Sequence, residues 1–124
     1  MTVRARVEST IRRELPHLTA GEAADLACVL DRLVASLAPE QIYVFGSRAR
    51  GTPTEHSDVD LLVVVSSSSE PAYRRAQQAY AAIGAHRLPV DILVWTREEF
   101  DERLAAAASL PATVAREGRL LYAA

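Results

Sequence analysis

Val44-Phe45-Gly46-Ser47-Arg48-Ala49-Arg50-Gly51, followed by a polar connection and then Ser57-Asp58-Val59-Asp60-Leu61-Leu62-Val63-Val64-Val65, is the stretch from which the fold is read. An apolar run ending in Gly46-Ser47 delivers a strand into a turn whose backbone can approach a phosphate, with amide N–H groups opening the next helical turn. Asp58 and Asp60 alternate with Val59 at the mouth of a second strand, so both carboxylates are expected to leave one face. Two acids on one face suit Mg²⁺. Taken singly, each signal is weak. A Gly-Ser turn is commonly only a turn, a Ser-Asp-x-Asp is commonly an Asx-type cap, and Arg48 and Arg50 alone read as surface charges.

The chain around this stretch supplies the missing context. Val3, Val7, Ile11 and Leu15 draw one apolar stripe along a helix that Pro16 stops. Arg4, Arg6, Arg12 and Arg13 fall off that stripe and, interrupted by Glu8 and Glu14, read as a solvated face and not as an RNA-binding one. Thr19 and Glu22 form a capping box for a long helix that keeps its spacing until Pro39. Strand one is expected over Ile42 to Phe45, a turn of helix over Arg48 to Gly51, a loop over Thr52 to Ser57, and strand two over Asp58 to Val65. Glu70-Pro71 opens a helix closed by Gly84. Strand three spans Pro89 to Trp95, with proline at the first position, where a strand tolerates it. Thr96 and Glu99 repeat the capping box, which predicts a helix from Arg97 to about Ala108. Pro111 starts a short helix ending at Gly118, and Arg119 to Tyr122 reads as an edge strand.

A helix separates strands two and three, so the pair is most simply parallel through a right-handed crossover. Asp91, at the start of strand three, then falls at the same sheet edge as Asp58 and Asp60. If strand one runs antiparallel to strand two, the Gly46-Ser47 turn faces that edge as well. Three neighbouring carboxylates raise one another's pKa unless a cation intervenes. Two Mg²⁺ ions about 4 Å apart would relieve the repulsion and clamp the oxygens of an in-line phosphoryl displacement. In this scheme Asp58, Asp60 and Asp91 are catalytic and metal-ligating. Gly46 and Ser47 fix a triphosphate, and Arg48 and Arg50 neutralise its charge.

The composition is consistent with a single domain over 1–124, two N-terminal helices (1–38) preceding a core over 41–124: 124 residues, 49% of them hydrophobic, allow one modest core. A formal net charge of −2 gives no global attraction to nucleic acid or acidic membrane. The single cysteine, Cys28, excludes an internal disulfide and is read as a core or near-core residue. The longest apolar run, Leu61 to Val65, is too short to span a bilayer, and no apolar signal core follows Met1, so a cytoplasmic location is expected.

The ordered set of strand, Gly46-Ser47, loop, Asp58-x-Asp60, strand, helix and the Asp91 strand resembles the nucleotidyltransferase superfamily typified by DNA polymerase β, and most closely its minimal prokaryotic members. Ala115-Arg116-Glu117-Gly118-Arg119-Leu120-Leu121-Tyr122 also resembles the tail of that group. The resemblance implies an α/β (α+β) fold with a small mixed sheet of three to four strands flanked by helices. It implies Ser47 on nucleotide phosphate, Asp58, Asp60 and Asp91 as the acid triad, and Mg²⁺-dependent transfer of a nucleoside monophosphate, AMP from ATP, to a hydroxyl. It further implies a HEPN-domain protein partner, with this chain as the antitoxin that modifies a toxin. Two alternatives stand beside it: a non-catalytic partner-binding module that keeps nucleotide binding as a relic, and a small-molecule antibiotic adenylyltransferase, which needs an acceptor cleft hard to build at this length. A homo-oligomer is compatible with either enzymatic reading.

Strand two is apolar on both faces: Leu62 and Val64 continue the side of the acids, and Leu61, Val63 and Val65 line the other. The acid face, with Leu93 and Trp95, therefore requires a cover, for which the N-terminal helices or a protein partner are the expected sources. Trp95 is read as structural in preference to base-stacking. His17, His56 and His86 are expected to be solvated, His56 lying close enough to Asp58 to touch a phosphate.

Overall fold

Threonine caps open the first two helices. In the computed structural model, which describes residues 1–50 and 58–124, the Thr2 hydroxyl accepts from Ala5 N–H to start α1 (Val3–Glu14). Thr19 and Glu22 close a reciprocal box at the start of α2 (Ala20–Leu37). Then follow β1 (Gln41–Phe45), α3 (Ser47–Arg50), β2 (Val59–Val65), α4 (Ala72–Ile83), β3 (Val90–Thr96), α5 (Arg97–Leu104), α6 (Leu110–Glu117) and β4 (Arg119–Ala123). The expected loop over 52–57, with Ser57 and His56, and the end of the first turn at Gly51 lie outside the described residues. Among the described residues no helix is long and apolar enough to cross a membrane.

The four strands form one mixed sheet in the order β3-β2-β1-β4. β2 and β3 are parallel, and β1 is antiparallel to both β2 and β4. Both orientations on which convergence of the acids depends are therefore present. The sheet is covered on two sides, because β2 is buried along both faces. On one side Leu61, Val63, Ile92 and Val94 pack with Val7 and Ile11 of α1 and with Leu26, Leu30 and Leu33 of α2. On the other, Leu62 and Val64 pack with Phe100 of α5 and Val114 of α6, flanked by Tyr43, Phe45 and Trp95.

This second layer corrects the expected source of the cover. The N-terminal helices lie on the opposite side of the sheet, and the face that carries Asp60 is closed by α5 and α6. Gly118 makes that closure possible: a Cβ there would lie 2.5 Å from Val114 O and 3.0 Å from Val44 O, so only glycine lets the end of α6 press against β1. Trp95 is half-buried in this layer with the Arg103 guanidinium 5.2 Å over its ring, a structural environment as expected.

One helix is shorter than its pattern predicts. α5 ends at Leu104, several residues before Ala108, because Ser109 has a competing use. Its hydroxyl donates to Arg103 O and accepts from Ala112 N–H, turning the chain and capping α6, where Pro111 occupies the first turn. The strands shift by one residue: β2 begins after Asp58, and β3 begins after Pro89, whose carbonyl accepts from Val59 N–H.

Two arginines tie the layers together. Arg75 of α4, only 6% exposed, donates to Val94 O and to both carboxylate oxygens of Glu99 on α5, at 2.7 and 3.1 Å. It thus joins helices on opposite faces around the outer edge of β3. Hydrogen bonding to Arg75 is the largest cause that lowers the Glu99 pKa from 4.5 to about 2. At the far end of the sheet Arg97 bonds Glu40 and Gln41 at 2.9 and 2.7 Å.

Candidate active site

The acids are placed by strand register. Asp60 pairs with Phe45 across the antiparallel β1–β2 ladder and with Asp91 across the parallel β2–β3 ladder, so the three residues form one rung. Immediately after Phe45 the chain turns at Gly46, with φ of +77°, the left-handed region that glycine occupies without penalty. A Cβ on Gly46 would stand 2.3 Å from Asp60 Oδ2. The Asp60 carboxylate therefore abuts the bare backbone of the turn, and Arg50 N–H closes onto Gly46 O at 3.2 Å to form α3.

Asp60 is the electrostatic centre of the rim. Its pKa is raised first by burial, then by the negative charges of Asp91 and of Asp58, and the Arg50 charge works the other way. Asp58, exposed and just ahead of β2, also adds its charge at Tyr80. The three sequence-predicted acids are thus brought within electrostatic reach of one another at one edge of the sheet, beside the Gly46-Ser47 turn.

The two arginines part company. Arg50 is exposed at the rim, whereas Arg48 is 7% exposed and its charge lowers the pKa of His17, for which burial is the larger cause. Arg48 is thus not the surface charge that its sequence context implies. His17 is exposed as expected, and His86 is half-buried with its Nδ1 3.1 Å from Gly84 O. Cys28 is partly buried within α2.

The donor chemistry at Asp58, Asp60 and Asp91 is all carboxylate oxygen, which suits a hard divalent cation such as Mg²⁺. Burial first, and then the charges of Asp91 and Asp58, raise the Asp60 pKa, and a bound cation would offset the charge repulsion among the acids. Among the described residues no group of three or more His, Cys, Asp and Glu side chains is gathered into a metal-binding cluster. What the fold fixes is the placement of the acids along the rim, with Asp60 between its neighbours.

Two neighbours of the rim were not legible as such in the sequence. Tyr80 of α4 donates its hydroxyl proton to Asp91 Oδ1 at 3.0 Å and accepts from Ile92 N–H at 2.8 Å. Asp25 of α2 accepts from Arg87 and Leu88 N–H through Oδ2, at 3.1 and 2.7 Å, which pins the approach to β3. Neither belongs to a short motif. The available signal for Tyr80 was its position beside buried Ala79 on the helix that joins the two acid-bearing strands.

A mixed sheet that sets carboxylates against a glycine turn at one edge is the architecture of a nucleotidyl-transferring domain. The sequence profile of the family described as "Nucleotidyltransferase domain" matches residues 26–120, and the chain belongs to this family. Its fold is similar to that of a Sulfolobus solfataricus crystal structure assigned as a nucleotidyltransferase. The TM-score is 0.58 at 22% identity, over 95% of this chain and 87% of that one. No curated protein matches the chain.

Proposed function

We propose that the protein is an Mg²⁺-dependent transferase that moves AMP from ATP to a hydroxyl on a partner protein, with a HEPN-domain protein as that partner and toxin–antitoxin pairing as the setting. The observation that carries the reading is the Phe45–Asp60–Asp91 rung, which sets two acids side by side next to a turn whose first residue has no side chain. Nothing but backbone stands between Asp60 and Gly46, so a triphosphate held by the Gly46-Ser47 turn meets the acids directly.

In this reading Ser47 and the turn amides hold the phosphates, and exposed Arg50 offsets their charge. Arg48, the other arginine of this turn, is buried. Asp58, Asp60 and Asp91 would hold Mg²⁺, which when bound supplies charge neutralisation at the phosphoryl oxygens. Asp91 accepts the proton of the attacking hydroxyl. The hydroxyl oxygen forms a bond to the α-phosphorus, the bond from that phosphorus to the bridging oxygen breaks, and pyrophosphate leaves.

The test is incubation of the protein with Mg²⁺, ATP labelled at the α-phosphate and the HEPN-domain partner, beside an Asp60→Asn control. Label on the partner that depends on Asp60 is the expected result. A tight complex with no label on the partner would replace the reading with a contact-only antitoxin.

A further inference from the structure

Asp91 lies exposed on β3, an edge strand of the sheet, with no neighbouring strand on its outer side among the described residues. An acid in that position is ordinarily free to sample several rotamers. Here the Tyr80 hydroxyl meets it. A backbone N–H can only donate, so the Ile92 N–H at 2.8 Å occupies a lone pair of the phenol oxygen. The single phenol proton is left for Asp91 Oδ1 at 3.0 Å. The direction of the chain from Ile92 N–H through Tyr80 to Asp91 is thereby fixed by its first member.

The helix that carries Tyr80 is itself anchored at both ends. Arg75 binds Glu70 O, Val94 O and Glu99 near its start. At its end the Arg32 guanidinium from α2 donates to Ile83 O and Ala85 O. Ala79 and Ile83 are fully buried beside Tyr80, while Tyr80 remains 40% exposed. The helix that presents the hydroxyl is thus held by Arg75 and Arg32, and the hydroxyl itself by Ile92 N–H.

We infer that Tyr80 is a positioning residue for Asp91: it ties up Oδ1 and sets the carboxylate so that Oδ2 serves the proton transfer and cation binding assigned to this acid. This inference rests on the transferase reading above. A hydrogen bond donated to a carboxylate that holds a metal orients it, and loss of such a partner costs about 10–100-fold in affinity or activity.

The experiment uses the full chain as wild type, Tyr80→Phe, Tyr80→Leu, Asp91→Asn and the Tyr80→Phe/Asp91→Asn double variant. Steady-state transfer is measured with ATP and the partner protein, and Mn²⁺ affinity is measured by electron paramagnetic resonance. Tyr80→Phe keeps the ring and loses only the hydroxyl, so it should lower kcat about 10–100-fold with KM for ATP changed less than about twofold. Tyr80→Leu should fall no further, and the double variant should be no worse than Asp91→Asn alone. Wild-type turnover in Tyr80→Phe, or loss confined to Tyr80→Leu, overturns the inference and makes the ring a packing element. If the wild-type protein transfers nothing, the transferase reading fails by itself and Mn²⁺ affinity decides: weaker binding in Tyr80→Phe upholds the positioning role, and equal binding ends it.

Discussion

The Asp60 carboxylate rests against the α-carbon of Gly46, with Oδ2 2.3 Å from where a β-carbon would sit. Two independent requirements therefore converge on glycine: the positive φ of the turn and the space that Asp60 occupies. Gly46→Ala should cost about 1–2 kcal/mol from the left-handed backbone alone, with a further loss from displacing Asp60. Thermal melts should show the destabilisation. Nucleotidyl transfer should fall by more than the unfolded fraction explains, because the acid has moved.

Asp60→Asn separates stability from function. Burial first, and then the charges of Asp91 and Asp58, disfavour its charged form in the folded state. Removing its charge should leave the metal-free melting temperature equal or higher while transfer drops at least about 100-fold. A fall in both would mean that Asp60 is a structural residue first. Calorimetry in the presence of chelator, paired with the labelling assay, reads both quantities.

Acid should weaken the fold through Glu99. Its folded pKa of about 2 lies below the ordinary 4.5, so the stabilisation it provides is fully present above about pH 4.5 and is lost as pH falls toward 2. Denaturant titrations across that window should show a declining unfolding free energy in the wild type and a flatter slope in Glu99→Gln. Glu99 is more than a third exposed, which solvent screening makes a modest effect. Arg75→Met is the harsher change. It empties a buried site of the hydrogen bonds to Glu70, Val94 and Glu99, and should cost about 2–3 kcal/mol.

Gly118→Ala should loosen the C-terminal layer. The added methyl would press on two carbonyl oxygens, Val114 O and Val44 O, so α6 must withdraw from β1. Hydrogen exchange should show faster exchange of the β4 amides with α2 amides unchanged, since α2 packs on the other side of the sheet.

The sequence made the strand–turn–strand unit readable because alternation, glycine and paired acids each have a local cause. Asp91 could be placed from the crossover argument alone, and the β2–β3 register sets it beside Asp60. Local patterning also located every helix among the described residues. It failed where a residue had two possible uses. Ser109 could have continued a helix but caps the next one. The cover over Leu62 and Val64 was unreadable because α5 buries only Phe100, too little pattern to mark a covering face, and only the three-dimensional path assigns each pair of helices to a side. The difference between Arg48 and Arg50 was hidden for a related reason: two residues apart on a single helical turn, they take opposite environments that composition does not distinguish. Tyr80 was invisible because its partners are twelve and eleven residues away and one of them is a backbone amide.

The outer margin of β3 carries a last consequence. Ile92 N–H is taken by Tyr80, Val94 O by Arg75 and Thr96 N–H by Glu99, so side chains fill the places an incoming strand would need. Two of these three stoppers belong to one helix. Fraying of α4 on heating would unmask a ready template for intermolecular ladders next to the apolar β2 strand, so precipitation of this protein should track local opening of that helix instead of global melting.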